Sequence, residues 1–367
     1  MRTGKAVLRG DSGDSALLVP DTPARVDARF TVRRGESGML ALALDHAASL
    51  AGGVRFSPAL SVFTPTRPAV GLMAFVTNAR SNDVTVFDRQ ARQVFDVIAT
   101  GRGPRGIAVD RRARRVYIGL SGDDAIEVID ARAGRRLDRI RLTPGDEPVD
   151  VALTPDGRTL LSANRGSNTV SVMDPESGAE LEKVRVGSGP RAITIDRTGR
   201  LAFVLNELSN AVTVLDVGSR TVIRSIPTDP GPVQADFNRL GDRLYVVHDA
   251  VDRVSAISPT TFAVLRRFQV RTRMEAIRVD PKTDLVYLGS GRDLVMALYE
   301  PFGFGAVDFI ETGAGVTHLA MDDEQNVLYV VTPDAGRVLA FDRIRKRLTG
   351  QIDAGAGPAR VAIMGDS

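Results

Sequence analysis

The apolar residues of this chain fall into short runs that return at a fixed interval. A strand-like segment ending on a small or polar residue recurs as MAFVTN to Asn78, VYIGL to Leu120, LLSAN to Asn164, AFVLN to Asn206, LYVVH to His248, VYLGS to Ser290 and LYVVT to Thr332, at steps of 42, 44, 42, 42, 42 and 42 residues. A second marker keeps the same phase: Pro104, Pro148, Pro190, Pro232, Met274, Val316 and Pro358. One two-residue insertion in TPGDEP, around Pro144, accounts for the longer step in both series. A period near 42 residues, seven times over, marks a repeat architecture.

Each unit reads as four strands. In one unit, RAITID (191–196), LAFVLN (201–206), AVTVLD (211–216) and TVIRSI (221–226) are separated by turn residues such as TGR and SN. β-Branched enrichment, period-two alternation and Gly/Asn/Asp/Pro punctuation call for strands. The fold class expected is therefore all-β: a seven-bladed β-propeller of four-stranded antiparallel blades. The first apolar strand (72–77) lacks a partner before it, and PARVAIM (358–364) lacks one after it. The C-terminal strand is expected to join blade 1 and close the ring, leaving no open edge at the seam. Residues 71–367 form this propeller, and 1–70 form an extension of undetermined structure. That extension holds a possible strand at 28–33, an Ala/Leu-rich stretch from Met39 to Leu50 with helical character, and an apolar piece at 54–63.

Composition narrows the chemistry. With 367 residues, 43% hydrophobic and 25% charged, the chain can bury a large core. It has no cysteine, which excludes disulfides, thiolate metal sites, a cysteine nucleophile and covalent c-type haem. The lack of tryptophan argues against propellers built on Trp-docking or WD signatures. Lysine and arginine total 48 against 45 acids, a small excess. Only Lys5, Lys183, Lys282 and Lys346 are lysines, so 44 cations are arginines. No apolar segment is long enough to span a membrane, and no signal peptide is visible.

The segments FVTNARSNDVTVFD, ANRGSNTVSVMD and VLNELSNAVTVLD, with GPRGIAVD, GPRAITID and TPDGR, resemble the YVTN-repeat β-propellers. That family takes in YncE-like exported proteins, surface-layer repeats and, more distantly, the seven-bladed lactonases. The likeness covers residues 73–364 and departs most in blades 5 to 7, where His248, Ser290 and Thr332 stand in place of Asn. It implies a periplasmic or extracellular location, and it speaks for architecture rather than activity. Asn82, Asn168 and Asn210 are turn formers.

Candidate sites follow from counting along strand A of each blade. Excluding the apolar packing positions leaves Arg105, Asp150, Arg191, Gln234, Asp236, Glu275, Arg278, His318 and Arg360 near one end of the channel. Two readings stay open: internal ion pairing, as between Asp236 and Arg278, or a mouth whose guanidinium forks hold a carboxylate or phosphate. Of the three histidines (His46, His248, His318), His318 is the candidate for acid–base work or haem ligation, with Glu275 or Arg360 beside it. The opposite face groups Arg111, Arg112, Arg114, Arg115, Arg132, Arg135 and Arg136 of blade 2 with Arg343, Arg345, Lys346 and Arg347 of blade 7, and with Arg89 and Arg92 of blade 1. It is either a solvated surface or a polyanion-binding one. Phe302 and Phe304 either form an exposed apolar contact or, as expected, fold back over their blade or against residues 1–70.

The function expected is a non-enzymatic binding or scaffold propeller engaging a protein partner or small anionic ligand at the channel mouth. The alternatives are a lactonase-class hydrolase or a haem- or quinone-associated propeller centred on His318, and polyanion binding through the arginine face. No cofactor and no metal site is predicted, and a monomer is expected.

Overall fold

In a computed structural model, residues 6–10, 13–17, 41–45, 49–51, 55–56, 59–63 and 68–365 are described. The chain divides into two compact units, Met1–Arg67 and Pro68–Ser367. The described part of the first unit forms three antiparallel pairs: Ala6–Gly10 with Gly13–Leu17, Ala41–Asp45 with Ala59–Phe63, and Leu50–Ala51 with Arg55–Phe56. The helical reading of Met39–Leu50 therefore fails over Ala41–Asp45. There leucine alternates with alanine at period two, and the register sets Leu42 opposite Val62 and Leu44 opposite Leu60. The strand expected at 28–33, and His46, lie outside the described residues.

The second unit is seven antiparallel four-stranded sheets. Blades 2 to 7 are each continuous in sequence, with strands lettered A to D from the inside outward. Blade 4, for example, runs Pro190–Ile195, Leu201–Asn206, Ala211–Asp216 and Thr221–Pro227. Blade 1 is composite: Pro358–Ile363 pairs antiparallel with Met73–Asn78, which continues into Asp83–Asp88 and Gln93–Ala99. The A strands of consecutive blades neighbour one another all the way round, from blade 7 to blade 1 and from blade 1 to blade 2.

Why the chain adopts a ring follows from where its apolar residues go. Buried side chains sort into seven clusters, and each cluster belongs to two adjacent blades. Within strand B of blade 1, Phe75 packs toward blade 2 while Ala74 and Val76 pack toward blade 7. Period two thus feeds two interfaces rather than one core and one wet face. Strand B carries a large aromatic at one recurring site (Phe75, Tyr117, Phe203, Tyr245, Tyr287 and Tyr329), each at most 2% exposed. The Tyr117, Tyr245 and Tyr329 hydroxyls donate to the backbone carbonyls of Pro175, Pro301 and Arg89 in the following blade. Strand D is mostly exposed but anchors one residue per blade: Ile98, Ile140, Val184, Ile226, Phe268, Ile310 and Ile352. In blade 6, Phe304 is buried and stacks on Phe268 at 4.2 Å, whereas Phe302 stays exposed.

The Asn that ends strand B is a buried polar clasp. Asn78, Asn164 and Asn206 donate through Nδ2 to Thr85, Ser171 and Thr213 on strand C at 2.8–2.9 Å. The asparagines of the B–C turns sit at positive φ, and Asn82, Asn168 and Asn210 accept from the amides of Gly103, Gly189 and Gly231. This ties the B–C turns of blades 1, 3 and 4 to the loops leading into the next blade. In blade 5, His248 takes the Asn position, with Nε2 3.0 Å from Ser255 Oγ.

Two expectations follow. Removing residues 356–367 strips Val361 and Met364 from the core. Each loss costs about 2 kcal/mol or more. The melting temperature should fall by at least about 8 °C, and an unchanged value would refute the closure. Burial lowers the pKa of His248 to about 4. The unfolded chain therefore binds a proton below pH 6.5 that the fold refuses. The His248 contribution is complete above that pH and is lost as pH falls toward 4, by on the order of 3 kcal/mol. His248→Asn should flatten the urea-derived stability profile across this window while leaving stability near pH 7 intact. An unchanged acid slope would count against this account.

Candidate functional site

Strand A of every blade lines the channel, and a local irregularity aims its first residues. In blades 1, 3, 4 and 5 the register slips just after the proline. The extra residue of that bulge (Ala359, Val149, Arg191 or Val233) is turned into the channel mouth. The mouth is a chamber of about 220 Å³ on the face of the D–A loops and B–C turns, and its lining includes Arg105, Arg191, Arg360, Asp249 and Glu275.

The charges here are desolvated and sparsely paired. Arg191 makes no hydrogen bond or ion pair through its side chain among the described residues. Burial lowers its pKa, and Arg165, Arg360 and Arg105 add to that, against the opposing pull of Glu207. Burial raises the pKa of Asp249, with Glu207 adding repulsion, and burial raises Glu275, with Asp249 adding repulsion. Glu207 itself is engaged by Arg165 at 2.7 Å. Arg165, Glu207 and Asp249 were missed by counting along strand A alone. They occupy the position directly after strand B, where the column reads Ala79, Ser121, Arg165, Glu207, Asp249, Gly291 and Pro333. Counting from the end of strand B would have found them.

Below the mouth the channel narrows. One ring of equivalent positions reads Gly106, Asp150, Ala192, Gln234, Ala276, His318 and Arg360 in blades 2 to 7 and then 1. Small residues in blades 2, 4 and 6 alternate with long ones. Arg360 reaches over blade 2 to Asp150 at 3.1 Å. Gly106 also lets the A strands of blades 2 and 3 come close, since a Cβ there would lie 2.5 Å from the Cα of Asp150. Gln234 reaches over Ala276 and donates to the Thr317 carbonyl at 3.1 Å. Gln234 and Arg360 line both the mouth and a second, deeper chamber of about 490 Å³, and so stand between the two.

The candidates counted along strand A therefore do not form one group. Arg105, Arg191 and Glu275 face the mouth, Gln234 and Arg360 form the constriction, and Asp150, Asp236, Arg278 and His318 line the deeper chamber. Those four clasp neighbouring A strands. Asp150 accepts from the amides of Val151 and Ile193, both at 2.9 Å. Asp236 accepts from Phe237 at 3.0 Å and Val279 at 2.8 Å, with Arg278 at 3.5 Å. His318 Nδ1 accepts from the Val361 amide at 3.4 Å. Burial, with Arg360 and Arg278 alongside, holds its pKa well below 6.5. The ring is thus neutral at pH 7, and an Nδ1 that accepts from an amide puts the proton on Nε2. Glu275 is in the other chamber, so the pairing of His318 with Glu275 is not formed.

The opposite face needs a correction. Arg343 is buried, held by Asp323 at 2.6 Å and Asp280 at 3.7 Å. Arg89 is likewise buried between Asp322 at 2.8 Å and Glu324 at 2.7 Å. Lys346 is neutralised by Asp308 at 2.7 Å. Arg92 donates to the Thr349 carbonyl, and half-buried Arg115 to that of Pro175. Sequence spacing could not show this, because the partners of Arg343 and Arg89 include acids of the preceding blade. The cations of this face that stay exposed are Arg111, Arg112, Arg114, Arg132, Arg135 and Arg136 of blade 2, with Arg345 and Arg347 of blade 7.

These features define a seven-bladed propeller with a polar mouth, a constricted channel and ion-paired seams. Residues 55–281 match the family model for the YNCE-like beta-propeller, and the chain belongs to that family. No curated protein matches the sequence. Among solved structures, hydrazine synthase of Kuenenia stuttgartiensis is similar at 20% identity and TM-score 0.63, over 70% of this chain and 88% of that one. The dihydro-heme d1 dehydrogenase NirN in complex with DHE is similar at 12% and 0.63, over 82% and 78%. A Bacteroides uniformis protein assigned as a 6-phosphogluconolactonase is similar at 15% and 0.68, over 79% and 98%. At these identities the likeness is one of fold.

Arg343→Met would leave Asp280 buried without its cation and should cost about 3 kcal/mol or more in urea unfolding. Arg111→Ala and Arg112→Ala should each stay within about 0.5 kcal/mol. Equal effects would mean that the two sets do not differ as described.

Proposed function

We propose that this propeller is a non-enzymatic binding protein that receives a small anionic ligand at the channel mouth. The observation that carries this reading is Arg191: a half-buried guanidinium aimed into a chamber of about 220 Å³ with no partner among the described residues. Arg105 and Arg360 line the same chamber. Guanidinium forks match the two oxygens of a carboxylate or phosphate, and partial burial strengthens such contacts relative to water. The volume falls below the roughly 300–1,000 Å³ of sites that take drug-sized molecules, which favours a compact ligand. Gln234 and Arg360 floor the chamber, so a ligand would dock rather than pass through. Binding is favoured over hydrolysis because His318 and Glu275 line different chambers.

Calorimetric titration with phosphate, acetate and small dicarboxylates tests this. At least one of these anions should bind, and Arg191→Met should weaken it by about tenfold or more, the loss expected for a charged hydrogen bond. The melting temperature of the ligand-free protein should barely move. No binding at millimolar concentrations, or unchanged affinity in the variant, would overturn the reading.

A further inference from the structure

The charges around the mouth are sorted by sign. Arg105 and Arg191 come from blades 2 and 4, whereas Asp249 and Glu275 come from blades 5 and 6. Arg165 and Glu207, on the same rim, pair with each other at 2.7 Å, although Glu207 still acts on Arg191 and Asp249. The remaining arc, blades 7 and 1, presents the uncharged Pro333, Ala79 and Ala359, and its cation, Arg360, lies at the constriction with Asp150 at 3.1 Å.

Asp249 and Glu275 line the same chamber as Arg191, and Arg191 and the rim residue Arg292 act on both, yet neither carboxyl forms an ion pair within 4 Å among the described residues. Opposite charges that are drawn partly out of water and kept apart carry the desolvation cost without the contact that offsets it. A molecule with a negative group at one end and a positive group at the other would complete both halves at once. Resting on the anion-binding reading above, we infer that the ligand is a small zwitterion, an α-amino acid with an uncharged side chain. Its carboxylate lies on Arg105 and Arg191, its ammonium group on Asp249 and Glu275, and its side chain on the Pro333–Ala79–Ala359 arc. The sorting by blade gives the selectivity a direction. A plain carboxylate satisfies only the cationic half and leaves the two carboxyl groups as they were, while a plain amine must approach next to two guanidinium groups.

The experiment compares L-alanine, L-valine and L-leucine with their deaminated counterparts propionate, 3-methylbutanoate and 4-methylpentanoate, by calorimetry at pH 7 on the full chain. At least one amino acid should bind about tenfold or more tightly than its deaminated partner. The double variant Asp249→Asn, Glu275→Gln should bring the two affinities together by weakening the amino acid alone, with the deaminated acid bound at least as well as before. Melting curves of the ligand-free variant establish that it is folded. If the deaminated acids bind as tightly as the amino acids, or if the double variant weakens neither, the zwitterion inference falls while anion binding stands. If no amino acid binds although phosphate or another simple anion does, the inference again falls alone. If Arg191→Met leaves every affinity unchanged, both readings fall together.

Discussion

The whole ring depends on one constraint: no blade has a wet face to spare. Strand B is apolar on both sides, so every sheet must be sandwiched, and seven sheets share seven apolar layers only if the last meets the first. Burying both faces of each sheet supplies the favourable free energy, and the circular order follows from having no end where one face could be left exposed. The two seams that flank blade 7 carry an additional device. Arg89 and Arg343 each follow strand C and each reach back to the Asp that closes strand A of the preceding blade, at the 7–1 and 6–7 junctions. The equivalent residues elsewhere are Ala131, Pro175, Val217, Pro259 and Pro301. Two positions that read as surface cations in the sequence are therefore ties between blades.

An odd number of blades shapes the channel as well. Alternating small and long residues around the constriction lets each long side chain lean over a small neighbour, as Arg360 does over Gly106 and Gln234 over Ala276. Seven positions cannot alternate perfectly, and the two long neighbours that result are His318 and Arg360. The Arg360 charge disfavours protonation of the imidazole, whose Nδ1 accepts from the Val361 amide.

Much of the architecture was legible because a 42-residue period is a local property: the pitch, the four strands and the orphaned first and last strands are visible without any knowledge of packing. The chemistry was less so. Counting along strand A found the residues that face the axis but not their depth, since a strand running along the channel puts Arg191 and Asp236 in different chambers. Asp249 escaped because it follows strand B, whose end approaches the axis only once the blade is folded. Arg343 was misplaced because its burial is decided by acids contributed from another blade as well as its own. The Ala/Leu stretch at 41–45 shows the same limit from the other side: its composition suits a helix, and a partner at 59–63 makes it a strand.

The composite blade has a consequence in time. Blades 2 to 7 can each complete their sheet as soon as their own residues are made, but Met73–Asn78 waits for Pro358–Ile363, some 280 residues later. At about 5–20 residues per second of synthesis that wait lasts roughly 15–60 s. Throughout it a bare β-edge lies open to any extended segment nearby. The order of translation thus leaves the earliest-made blade to mature last, and the newborn chain is at greatest risk of mispairing at its own beginning.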